Sequence, residues 1–243
     1  MPFIINQRRT YHVYIESGSG GAISHVAELP GCFGVGSTVP LSVAATPGAI
    51  TRFLAWLKSH REPLVPEAHV LRPSMVDLGI SEVRDNGAPL VAGSKAALFP
   101  FDQEAWDDYK LERTLRWLGY SRADLLAKID GLTDDDLKRR HVAPDRTLWQ
   151  TLWHVADAEY GYITHVIGDL LGKEAVTEDY PADIKERLRV TREIFVRYAR
   201  SIPPDKRSEI TYPTWSDHPD EPWTLAKAMR RAIEHELEHL AEL

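Results

Sequence analysis

The sequence predicts an α+β module followed by an all-α up-down four-helix bundle. Three observations carry that expectation. Residues near the N-terminus alternate apolar and polar with period two, as half-buried strands do. The stretch RDNGAPLVAGSK (84–95) is a break of small residues and turn formers. Beyond it strand signals vanish, and four segments carry apolar residues at helical spacing. The boundary is placed in that break, giving units of residues 1–90 and 91–243.

In YHVYIES, Tyr11, Val13 and Ile15 fall on one side and His12, Tyr14 and Glu16 on the other. GSGGA supplies a turn and ISHVAEL a returning strand. LPGCFGVGST, glycine-rich and broken by Pro30, suits a loop and a short edge strand. Its glycines do not match the G-x-x-x-x-G-K-[ST] phosphate cradle. From Leu41 to His60 the period becomes helical, with Val43, Ile50, Phe53, Leu54 and Leu57 as the stripe and Pro47 limiting how early the regular helix begins. HVLRPSMVDLGISEV reads as one or two further strands.

In the second half, a long helix is predicted from Asp102 to Ile129, with Trp106, Tyr109, Leu115, Trp117, Leu118, Leu125, Leu126 and Ile129 as its core. Gly131 and LTDDDL stop it in a short acidic turn. A second helix runs from Thr147 to Leu171, with Gly172 as C-cap. A third starts at Tyr180-Pro181, with proline in the first turn, and ends at Ser201 before Pro203-Pro204. The fourth starts at Thr224, its N-cap, and runs to the C-terminus.

Composition narrows the function. The formal net charge is −7, and the short basic clusters (Arg8-Arg9, Lys138-Arg139-Arg140, Arg230-Arg231) lie among acids, so no nucleic-acid partner is expected. The single cysteine, Cys32, excludes an internal disulfide and thiolate-rich zinc sites and reads as a small buried residue. No apolar run approaches the roughly 20 residues that span a bilayer, and the N-terminus does not read as a signal peptide, so a soluble cytoplasmic protein is expected. Ten histidines against one cysteine direct attention to imidazole chemistry.

The chain ends in IEHELEHLAEL, where His235-Glu236-Leu237-Glu238-His239 fits H-E-x-x-H. Two histidines four apart on a helix share a face and can reach one ion, although a solvated pair has the same spacing. A zinc peptidase takes its third ligand downstream, and only Leu240 to Leu243 follow. The remaining ligands must come from earlier helices, which argues against a peptidase. On the second helix His154 and His165 are candidates. They lie about 16 Å apart along the axis and cannot share an ion. His154 is preferred because the small residues Ala158 and Gly161 beside it leave room for a ligand and water. Glu159 and Glu236 each fall within an apolar arc, so each needs a partner: an arginine, an imidazole N–H or the metal. They are candidates for orienting a ligand or moving a proton, with a structural ion pair as the alternative.

Through LWHVADAE and EHELEHLAEL, residues 98–243 resemble the DinB-like metal-binding four-helix bundles, a family that includes thiol-dependent S-transferases. The resemblance implies that His154, His235 and His239 hold a divalent metal with an open position that activates water or a thiol. Zinc and nickel suit three imidazoles best, with iron or copper also compatible, and a low-molecular-weight thiol is an implied cosubstrate. Through YHVYIES, ELPGC (28–32), GST (36–38) and the helix after them, residues 11–57 resemble the HicB-like antitoxin fold. That family pairs with an RNA-cleaving toxin and carries a DNA-binding element. Here VPLSVAATPG replaces its usual acidic residues and no DNA-binding helix follows, so the module reads as a dimerisation or ligand-sensing appendage. Two functions are thus expected: a metal-dependent transferase or hydrolase acting on a small molecule, possible as a homodimer, or a non-catalytic binding protein with a structural or vestigial metal.

Overall fold

The computed structural model describes residues 8–64, 68, 71–86, 95–143, 145–168, 170, 174, 176, 177 and 180–243. The chain divides into two compact units, Met1–Phe99 and Pro100–Leu243.

In the first unit β1 (Arg9–Gly18), β2 (Gly21–Val26) and β3 (Phe33–Gly36) precede α1 (Val39–Ser59) and β4 (Val76–Asp85). The sheet order is β3-β2-β1-β4, antiparallel except that β4 runs parallel to β1. Tyr11, Val13 and Ile15 are buried, as the alternation predicts. The segment expected to hold one or two strands supplies one, β4, while His69 and Val70 lie outside the described residues, as do residues 87–94 of the predicted boundary.

Pro47 does not delay α1. The helix starts at Val39 with Thr38 as N-cap and Pro40 in the first turn, where a missing N–H costs nothing, and it runs on through Pro47. Its buried stripe includes the small polar residues Ser42 and Thr46, and the reason lies in β3. A Cβ on Gly34 would stand 2.8 Å from the carbonyl oxygen of Ser42, and one on Gly36 would collide with the Ser42 amide. These glycines let a helix backbone approach a strand.

The second unit contains α2 (Asp108–Lys128), α3 (Asp134–Arg139), a hairpin of β5 (His141–Ala143) and β6 (Arg146–Thr147), α4 (Leu148–Ile167), α5 (Ile184–Ser201) and α6 (Leu225–Glu242). Four boundaries differ from expectation. The first helix begins at Asp108 behind an Asp107 N-cap rather than at Asp102, which leaves Tyr109 exposed in the first turn, off the buried stripe of Leu111, Leu115, Leu118 and Leu125. The acidic turn holds a helix, α3, closed by a capping box between Thr133 and Asp136. The second helix stops at Ile167 because Gly168, at φ 100°, is its C-cap. Gly172 lies outside the described residues. The third helix begins at Ile184 behind an Asp183 N-cap, and Pro181 precedes it in a cis peptide bond with Tyr180. Strand signals do not vanish either, since β5 and β6 pair antiparallel.

Helix directions correct the up-down order. Leu125 and Ile129 at the end of α2 share one core with Leu148 and Leu152 at the start of α4 and with Ile184 and Leu188 at the start of α5. Leu240 and Leu243 at the end of α6 pack against the same cluster. Thus α2 and α6 run one way and α4 and α5 the other. Two consecutive parallel helices need a long connection, which here occupies residues 168–183. No helix among the described residues is long and apolar enough to cross a membrane.

Each of the four long helices contributes one charged residue to a buried quartet. Arg122 of α2 donates to Glu159 of α4 at 2.7 Å and to Glu236 of α6 at 2.5 Å. Arg192 of α5 donates to Glu236 at 2.7 Å and also to Glu159. Ser121 donates to Glu236, and the two arginines also reach the carbonyls of Leu188 and Leu118. Two positive and two negative charges cancel, and each lone buried ion gains the partners it requires.

Removing one member leaves an unpaired buried charge, so Arg122→Ala is expected to cost about 3–5 kcal/mol, a fall in Tm on the order of 10 °C by calorimetry. Burial alone would raise the pKa of Glu236, but the charges of Arg122 and Arg192, with hydrogen bonds from Ser121 and Arg122, outweigh it and lower the pKa from 4.5 to about 2. The group therefore contributes stability above its unfolded pKa, and that contribution is lost as pH falls from 4.5 towards about 2. In denaturant titrations across that window, Glu236→Gln is expected to show a shallower loss of stability than the wild type.

Candidate metal centre

Antiparallel packing of α4 and α6 brings the second turn of α4 beside the last two turns of α6. Thr147 and Gln150 form a capping box that fixes where α4 starts and hence which residues face inward. His154 follows seven residues after the cap. His235 and His239 stand one turn apart on α6, 8% and 6% exposed, while His154 is half-buried.

The three imidazoles converge through their Nε2 atoms. His235 Nε2 lies 2.9 Å from His154 Nε2 and 3.1 Å from His239 Nε2, and one nitrogen from each residue falls within 4.8 Å of the others. Two nitrogens bound to one ion at about 2.0–2.1 Å are at most about 4 Å apart, so the 2.9 and 3.1 Å spacings from His235 suit a shared ion. His239 Nδ1 donates to the Glu242 carboxylate at 2.8 Å, which leaves its Nε2 with a lone pair. A cation accepts all three nitrogens.

Charge favours the same state. Burial first, then the charges of His239 and Arg146, pushes His154 down to about 4. Burial also holds His235 well below its usual value, helped by His239, His154, Arg231 and Arg146. Both rings are therefore neutral at pH 7, the form that ligates a metal. A Cβ on Gly161 would meet nothing within 4 Å, so open space adjoins α4 one turn beyond Ala158.

His165 stays apart. It packs 4.7 Å from Trp223 at the opposite end of α4, and its carbonyl accepts from Thr211. Glu159 and Glu236 are buried, but their oxygens face Arg122 and Arg192, as in the ion-pair alternative.

A model of the DinB superfamily matches residues 118–243, more than half of the chain, including all three histidines. The chain belongs to the DinB superfamily. No curated protein and no solved structure matches it. In this DinB-superfamily chain three neighbouring histidines could hold a metal ion.

Sequence reasoning missed several residues around them. Glu242 was legible as the i+3 neighbour of His239. Arg122 and Arg192 lie in the apolar stripes of α2 and α5, four residues after Leu118 and Leu188, and had the same signal as the buried glutamates. Tyr162, whose ring stands edge-on 6.0 Å from His235, carried none.

Because Glu242 holds the His239 ring through its Nδ1, Glu242→Ala is expected to weaken binding of zinc or cobalt by about 10–100-fold. Competition with a chromogenic chelator measures this, with His239→Ala as the reference for loss of a ligand.

Proposed function

We propose that this protein is a divalent-metal-dependent enzyme of the DinB type, a thiol S-transferase or a hydrolase acting on a small molecule. His154, His235 and His239 would be the metal ligands. The observation that carries the reading is the convergence of three Nε2 atoms from two helices, with a carboxylate orienting one ring. Zinc or nickel fits three neutral imidazoles, and iron is compatible. Such an ion, when bound, supplies an open coordination position that lowers the pKa of a water or thiol. The chain's own residues have separate tasks. His154 and His235 present lone pairs, Glu242 fixes the tautomer of His239, and Gly161 leaves room for a small molecule.

Glu159 and Glu236 were the sequence candidates for proton transfer. Their ion pairs favour a positioning part, because a carboxylate held low by two guanidiniums is a poor proton carrier near neutral pH. We assign residues 91–243 to the DinB-type four-helix bundle and residues 1–90 to a HicB-like module that serves dimerisation or ligand sensing. Its four-stranded sheet with one helix supports that assignment. A small molecule and a second copy of the chain are the proposed partners, and a low-molecular-weight thiol the cosubstrate.

The alternative is a binding protein whose metal is structural. An open catalytic site leaves a folded apo-protein, whereas a structural metal takes the fold with it. Elemental analysis of the wild type, His154→Ala and His239→Ala is expected to give near-stoichiometric divalent metal in the wild type alone. Circular dichroism after chelation is expected to retain the helical signal. Metal retained in His154→Ala would remove that residue from the site, and unfolding on chelation would favour the structural reading.

A further inference from the structure

The sheet of the first unit has two unequal edges. β3 is four residues long, and its Gly34 and Gly36 are pressed against α1. β4 is ten residues long and, among the described residues, no strand lies beyond it. The helix also covers the sheet unevenly. Ile15 sits opposite Ser24, whose hydroxyl meets that of Ser42 on α1 at 2.8 Å, so Tyr11, Val13 and Ile15 are on the helix side. In the parallel register Leu78, Ile80 and Val83 stand beside those three residues and share their face. Yet Ile80 is 54% and Val83 52% exposed, against 0% for Val13 and Ile15. A long apolar edge is usually blunted by lysine, proline or an inward charge. From Val76 to Val83 the helix side of β4 carries none of these.

The pattern of β4 complements itself. The register shift between Val13 and Tyr14 inserts Ser81 into β4, so Leu78 and Ile80 face the helix side before it and Val83 after it. Residues directly opposite in an antiparallel pair share a face. A two-fold axis between Ile80 and Ser81 therefore sets Leu78 opposite the second copy's Val83, and on the other face Asp77 opposite the second copy's Arg84. Within each chain Arg8 holds Asp77, and Arg84 holds Glu82 at 2.5 Å. The joined polar face then reads Arg8, Asp77, Arg84, Glu82, alternating in sign across the junction. An axis one residue earlier would set Asp77 against Glu82, and like charges directly opposite repel.

We propose that two copies of the chain join through β4, antiparallel about that axis, so that their four-stranded sheets become one and Leu78, Ile80 and Val83 are buried in the seam. This rests on the dimerisation reading of the first unit above and adds to it the surface and the register. It is independent of the metal.

The test is the mass of the full chain in solution by analytical ultracentrifugation, as wild type, Ile80→Lys, and Leu78→Cys with Val83→Cys. The wild type is expected to be a dimer. Ile80→Lys places an ammonium from each copy in the seam and is expected to raise the dissociation constant about 100-fold, with an unchanged circular dichroism spectrum. Opposite Cβ atoms lie about 4.5–5.5 Å apart, so mild oxidation of the cysteine pair is expected to give a covalent dimer on a non-reducing gel. Either cysteine alone is expected to give none, since the natural Cys32 is buried. If Ile80→Lys fails to fold, the cysteine pair decides. A dimeric wild type that folded Ile80→Lys leaves unchanged, or that the cysteine pair does not link, would overturn the β4 seam and leave dimerisation standing. A monomeric wild type would overturn both.

Discussion

The buried quartet of Arg122, Glu159, Arg192 and Glu236 is the constraint on which the helical unit depends. Apolar packing tolerates small slides of one helix along another, since one leucine ridge resembles the next. Charge pairs at 2.5–2.7 Å do not. A one-turn slip of α6 would strand Glu236 away from both guanidiniums in a medium where an unpaired carboxylate is costly. The same slip would remove His235, its immediate neighbour, from His154. Register is thus set by charge, five residues from one histidine ligand and one residue from another.

The histidines bring a second constraint. Three imidazoles face one another through the same ring atom, and burial keeps two of them from taking a proton. Glu242 sharpens it by fixing the third ring with its lone pair inward. In most buried polar clusters donors and acceptors alternate. Here one nitrogen from each of three imidazoles converges on one point, the arrangement of a ligand set. The superfamily match over residues 118–243 agrees with that reading but does not name a reaction.

What was legible in the sequence follows from range. The i, i+4 pair of His235 and His239 is a property of one helix, as are the Thr147 and Thr224 caps, and local spacing suffices for them. The choice of His154 over His165 came from the small residues beside it, and the structure places His154 with the pair. Helix direction was not local. The sequence reading left only residues 172–179 between the second and third helices, so the longer connection, 168–183, that lets α4 and α5 run parallel was not legible. The β5–β6 hairpin was illegible because strands of three and two residues carry no period. Tyr109 was misplaced because its helix starts six residues later than the apolar pattern suggested. The buried glutamates were recognised as needing partners, an arginine among them, but Arg122 and Arg192 were not singled out from their apolar stripes.

The most direct test of the central claim is anomalous diffraction from crystals of the protein grown with its divalent metal, collected on either side of that metal's absorption edge. The account predicts one strong anomalous peak within about 2.0–2.1 Å of the Nε2 atoms of His154, His235 and His239, with the Arg–Glu quartet intact beside it. A peak held by His235 and His239 while His154 turns away, or no peak at the triad in metal-replete protein, would contradict it.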